Sequence, residues 1–307
     1  MLLLAVVPVS VVLYAALPAG SSPVKGAPKC KIFPANNPWN QRVDSLPVAS
    51  NSGAIVRSIG LDTGLHPDFG SGNYGGGPIG IPYTTVSGRQ HRTRVSFDYS
   101  DESDRGPYPI PANPPIEGGK NSDGDRHILI VDRDRCKLFE LYDAHQQGKS
   151  WHAGSGAIWS LKSNKLRPSG WTSADAAGLP ILPGLARYEE AWKGRIDHAL
   201  RFTVSETRKA FIYPARHYAS DNTDRNLPAM GQRLRLKASF DTSKYPKQAR
   251  IVLEALKKYG MIVADNGSNW YISGAPSSGW DNDALHTLGD VKGSNFEVVD
   301  TTKLPRP

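Results

Sequence analysis

The chain has 307 residues, a formal net charge of +8 and two cysteines. That length suits one large β-rich domain or two smaller ones, and a hydrophobic content of 39% supports a packed core and excludes wholesale disorder. The positive balance suits anionic surfaces or acidic polymers, but no basic helix, zinc finger or RNA-binding signature accompanies it, so nucleic acid is not the expected partner and no protein partner is inferable.

Met1 to Gly20 carry no charged side chain, and Ala15, Ala16 and Ala19 precede a polar Ser21-Ser22 exit. This predicts a signal peptide over residues 1–25 and a secreted protein, with an uncleaved N-terminal membrane anchor as the alternative. Pro8 and Pro18 interrupt the stretch and disfavour the anchor. Residues 26–307 then form a single β-rich domain. In an oxidising compartment Cys30 and Cys136 are expected to pair as a disulfide.

An extended entry runs over residues 26–50, and a short helix is predicted for Ser50 to Ile59. Residues 62–80 read as a glycine-rich loop. Strands are predicted at Ile79–Val86, Thr93–Tyr99, His127–Asp132, Lys137–Tyr142, Ala157–Leu161, His198–Val204, Ala210–Tyr213, Gln232–Phe240, Met261–Ala264 and Trp270–Ser273. The 3.6-residue spacing of Ile251, Val252, Leu253, Leu256 and Tyr259, with Pro246 before and Gly260 after, predicts a helix over Pro246–Tyr259. Many short strands and almost no regularly alternating helices predict a mainly β fold: a β-sandwich or jelly roll with one C-terminal-half helix and long loops.

His127, His198 and His217 stand at ends or breaks of strand-like runs, where sheet proteins build sites and where imidazole serves proton transfer or metal ligation. Asp175 lies between the first two in a run of small residues, Ala174, Ala176, Ala177 and Gly178, that lets a polymer approach. Its plain alternative is a turn or cap. Tyr218 beside His217 is a second candidate base. Period-two alternation puts Arg233, Arg235 and Lys237 on one strand face and Arg201 with Thr203 on another. Arg92 and Arg94 precede Val95 with the same alternation. If the faces of these three strands coincide, they make a cationic groove for uronate carboxylates; a solvated outer face is the bland reading. Arg216 is a separate candidate for binding substrate. Trp159 and Trp171 are candidate stacking surfaces for sugars. Asp265, in Ala264-Asp-Asn-Gly267, reads first as a tight-turn residue, and Asp281 and Asp283 as a helix start.

Several longer runs stand out together: Phe33–Asn40, Gly106–Pro111, Gly124–Asp134, Gly170–Leu185, Pro214–Ser220 and Tyr259–Pro276. They resemble a family of uncharacterised secreted bacterial proteins found in soil-dwelling groups. The likeness spans almost the whole chain beyond the leader. It implies export and a single structural unit, and brings with it no activity and no catalytic residue.

The expected function is a secreted carbohydrate-active enzyme that cleaves an extracellular polysaccharide or cell-wall polymer, an acidic one included. Hydrolysis would use Asp175 with Asp265 or Glu190 as its partner acid. β-Elimination would use His217 or Tyr218 as base, with Arg201 or Arg216 stabilising the charge that develops. One alternative is a non-catalytic glycan- or wall-binding protein. Another is a metal-dependent enzyme on His127, His198 and His217. No cofactor is otherwise predicted.

Overall fold

The computed structural model describes residues 22–307. The fold is mainly β, with two principal sheets in a sandwich-type arrangement. The first has four strands in the order Ser155–Ser160, Lys137–Tyr142, Ile128–Asp132, Tyr83–Val86. The second has six, in the order Phe296–Val298, Arg233–Leu236, Met261–Asn266, Leu200–Val204, Tyr271–Ser273, His66–Asp68. Both are mixed: Tyr83–Val86 runs parallel to Ile128–Asp132, and Leu200–Val204 runs parallel to Met261–Asn266.

The strand Ile128–Asp132 shows why an unbroken apolar run forms here. Leu129 and Val131 face the large core shared with the six-stranded sheet, while Ile128 and Ile130 face a second cluster with Val95, Tyr108, Phe139 and Trp151. Both faces of this strand are thus dry, and alternation of polar and apolar residues would be costly. Burying each such aliphatic side chain is worth about 1.5–3 kcal/mol. The second cluster is closed by a small sheet of His145–Gln147, Ser150–Ala153 and Val95–Phe97.

The helix Lys247–Lys258 has the boundaries its periodicity predicts to within a residue or two. Ile251, Val252, Leu253 and Leu256 pack into the large core, and Gly260 ends the helix at φ 67°. The first helix spans Ser52–Ile59, and Asp281 caps a further short helix, Asn282–His286, by accepting a hydrogen bond from the Ala284 amide. Among the described residues no helix is long and apolar enough to cross a membrane.

Three expectations about the elements are corrected. Ala210–Tyr213 is not a strand; only Phe211 makes an isolated bridge, to Met230. The strand predicted over Gln232–Phe240 stops at Leu236. The predicted leader lies mostly outside the described residues, but Pro23–Val24, placed in its tail, pair with Ala27–Lys31 and Val24 is buried. The fold therefore begins before residue 26.

Cys30 and Cys136 form the expected disulfide, tying the N-terminal hairpin to the turn that joins two strands of the four-stranded sheet. The bond spans 106 residues of sequence. Replacing both cysteines by serine is expected to lower unfolding free energy by about 2–4 kcal/mol. Urea unfolding would show this as an earlier midpoint; an unchanged midpoint would mean that the bond constrains neither state.

Candidate active site

A cavity of about 390 Å³ opens where the two sheets meet. Its walls include Tyr99, Glu102, Asp125, Tyr142, His217 and Asp265, and the loop Thr172–Ala176 forms its floor.

Small residues put that floor in place. The Ala177 amide donates to the Ala264 carbonyl at 2.9 Å, while the Arg216 and His217 amides donate to the Ala177 carbonyl at 2.8 and 3.2 Å. The segment is therefore wedged, main chain to main chain, between the Met261–Asn266 strand and the loop that carries His217. Gly178 sits at φ 68°, and a Cβ there would lie 2.4 Å from the Trp171 carbonyl oxygen, so only glycine fits. Ser173 ties the turn by donating to the Asp175 carbonyl and accepting from the Asp175 amide.

Asp175 is held from the adjacent strand. Arg201 Nε and Nη2 donate to its two carboxylate oxygens at 2.9 and 2.7 Å, and Arg201 Nη1 donates to Ser273 Oγ. The Asp175 side chain has 0% solvent exposure and that of Arg201 6%. A bidentate pair of this kind holds both charges in a dry place. The carboxylate of Asp175, expected from the sequence to be reactive, is buried with both its oxygens on Arg201.

Asp265 reaches the cavity through a β-bulge. Arg201 pairs with Ile262 and Phe202 with Val263, but Thr203 pairs with Asp265, leaving Ala264 unmatched. The bulge turns Asp265 to the side of Arg201 and Thr203; in regular alternation it would share the face of Phe202. Its carboxyl hydrogen-bonds Asp175. Burial, and then the Asp175 carboxylate, push its pKa up to about 8 against the opposing pull of Arg201, which lies 3.8 Å away. At neutral pH Asp265 is a carboxylic acid that can donate to Asp175.

His217 supplies the complementary group. Its Nδ1 lies 2.8 Å from the Ala176 carbonyl, which can only accept, so Nδ1 is protonated and Nε2 is the nitrogen that carries the lone pair whenever the ring is neutral. Nε2 faces Glu102 at 3.9 Å, beyond hydrogen-bond reach, and Glu102 is itself oriented by the Thr172 amide at 2.9 Å. The His217 side chain keeps 25% exposure.

The remaining candidates sit elsewhere. His198 is buried, with Nδ1 on the Ala199 carbonyl and Nε2 on Glu190, whose carboxylate also pairs with Arg187. Both ring nitrogens are occupied, and neither His198 nor Glu190 lines the cavity. His127 is buried beside the floor, donating to Glu117 and, at 2.9 Å, to the Ala174 carbonyl. Burial opposes its charge, but Glu117 prevails and raises its pKa to about 9, so it anchors the floor as an imidazolium. The three histidines are therefore not a common metal site; the one grouping of three potential ligands among the described residues is Glu117, Asp125 and His127.

The cationic groove does not form. Arg233 is buried and donates to the carbonyls of Tyr259, Pro38 and Gln41; Arg235 donates to those of Val43 and Leu46 and pairs with Glu297. The entry segment covers this sheet face and consumes the guanidinium donors. Arg216 Nε donates to the Arg167 carbonyl. Trp159 is core-buried, and Arg167 lies between its ring and that of Trp171 at 5.7 and 5.4 Å. Tyr218 is 37% exposed and stacks on His217 outside the cavity lining.

Glu102, Asp125, Tyr99 and Tyr142 escaped the sequence reading. Asp125 stands two residues before His127, the only local hint; Glu102 lies in an acidic loop with no distinguishing pattern. Comparison with family models, curated proteins and solved structures finds no match.

Two outcomes test this geometry. Asp175→Asn or Arg201→Met alone leaves a buried charge unpaired and is expected to cost about 3–5 kcal/mol. The double substitution should cost clearly less than the sum, as read from urea unfolding of all four proteins; strict additivity would show that the pair is not coupled. Second, Asp265 is neutral in the folded state and ionised in the unfolded chain between pH 4 and 8. The folded state then binds the extra proton, so stability falls as pH rises through that window. Asp265→Asn removes the penalty and should raise the melting temperature at pH 8, the gap closing towards pH 4. A gap independent of pH would mean that Asp265 titrates normally.

Proposed function

We propose that the chain is an exported enzyme that hydrolyses a polysaccharide by general acid–base catalysis. The observation that carries this reading is the pairing, in one cavity, of a base with a free lone pair, His217 Nε2, and an acid that keeps its proton at neutral pH, Asp265. The lining of carboxylates, hydroxyls and tyrosines suits a hydroxyl-rich ligand, and the volume accommodates about one or two sugar rings. The disulfide supports an oxidising compartment.

In this mechanism a water oxygen attacks the anomeric carbon and gives its proton to His217 Nε2. The glycosidic C–O bond breaks, and the leaving oxygen takes the Asp265 proton. Glu102 stabilises the imidazolium that forms, and Asp175 stabilises the protonated state of Asp265. Proton transfer through solvent from His217 to Asp265 restores the resting state. Hydrolysis is favoured over β-elimination because elimination from a uronate calls for a free cation at the substrate carboxylate. Arg201 is already committed to Asp175 and Ser273, and Arg216, whose Nε donates to the Arg167 carbonyl, does not line the cavity.

Incubation with a panel of glycans should release new reducing ends without ultraviolet-absorbing unsaturated ends. His217→Ala and Asp265→Asn should each lower kcat by about 100-fold or more with small changes in KM. For the unaltered enzyme, kcat/KM should drop about tenfold per pH unit above about 8, as Asp265 loses its proton. Unsaturated ends would replace this mechanism with elimination. Binding without turnover, unaffected by His217→Ala, would identify a glycan-binding protein instead.

A further inference from the structure

The charge around the cavity is opposite to that of the whole chain. The protein carries +8, yet Glu102, Asp125, Asp175 and Asp265 all line this one opening. Arg201 lies on Asp175 and His127 on Glu117, while Arg126 and Arg216 donate to main-chain carbonyls and do not line the cavity. Glu102 approaches only His217, and Asp125, which makes no ion pair of its own among the described residues, lies within 4.8 Å of the His127 imidazolium, which is already on Glu117. Among the lining residues two carboxylates, Glu102 and Asp125, are therefore in excess. The tyrosines add to the same preference, since the π-faces of Tyr99 and Tyr142 attract cations. Neighbouring groups feel this field as well. The Tyr142 hydroxyl is shifted upward by burial and then by Asp125, Asp143 and Asp265. Asp68 is shifted upward by burial and then by Glu117.

We infer that the substrate is a polymer of amino sugars with free, protonated amines, whose ammonium groups are held by Asp125 and Glu102 between Tyr99 and Tyr142. This rests on the hydrolase reading above and narrows it: an acidic polymer would meet two uncompensated carboxylates in a partly desolvated site, whereas an ammonium group replaces the missing counter-charge.

The test starts from whichever backbone the glycan panel shows to be cut. If that backbone bears amino groups, it is prepared in three forms: free amine, N-acetylated and N-succinylated. The free-amine form should be hydrolysed with at least a tenfold higher kcat/KM than the acetylated form, and the anionic form least of all. Asp125→Asn should reduce that preference at least threefold, and raising the salt concentration should reduce it in the unaltered enzyme. In calorimetry, the inactive His217→Ala variant should bind the free-amine oligomer more tightly than its acetylated counterpart. Equal or reversed preference, or a substrate backbone without amino groups, would overturn the inference and leave the hydrolase intact. Elemental analysis that finds a stoichiometric divalent ion, lost in Asp125→Asn, would also overturn it, because the ion would supply the counter-charge. Failure to cut any backbone would instead remove the hydrolase reading.

Discussion

The buried pair of Asp175 and Arg201 is the interaction on which the site depends. Asp175 comes from a loop and Arg201 from the middle of a strand, so their two hydrogen bonds fasten the cavity floor to the six-stranded sheet. An ionised carboxylate with no solvent exposure is tolerated because both its oxygens are matched by a planar guanidinium. The same charge, left close to Asp265, makes a second ionisation there costly. One ion pair thus fixes the position of the floor, and its carboxylate adds to burial in keeping the acid above it protonated.

The surroundings repeat this use of buried charge. The Glu140 carboxylate has no solvent contact and accepts hydrogen bonds from the Ile181 and Leu182 amides. Burial pushes its pKa up to about 7, its amide partners restraining a larger rise. His127 and Glu117 fix the Ala174 carbonyl, one residue from Asp175. A region of this kind trades stability for chemistry: protons must be retained on groups that the unfolded chain would release, which weakens the fold as pH rises from mildly acidic values.

Where periodicity and burial agree, the sequence was a sound guide. Lys137–Tyr142 has its predicted limits, and the helix Lys247–Lys258 shows the apolar stripe read from Ile251 to Leu256. Arg233 and Arg235 were misplaced for a physical reason. Alternation correctly puts them on one side of the strand, but says nothing of what covers that side, and here residues 38–46 lie over it and offer carbonyls. Asp265 looked like a turn residue because a single unmatched Ala264, invisible in the sequence, decides which way it points. His198 and His217 carry no local signal that tells them apart. Glu190 seals one, while the other keeps Nε2 towards an open cavity. Glu102 and Asp125 joined the site through tertiary packing of loops that have no pattern of their own.

Burial, and then the neighbouring Asp175 carboxylate, hold a proton on Asp265 at neutral pH. Carbon-13 NMR of the aspartate side-chain carboxyls, with Asp265 assigned by its loss in Asp265→Asn, follows that proton directly across a pH series. A single ionisation of Asp265 centred near 8 is the expected result. A midpoint in the ordinary carboxylate range, near 4, would contradict it.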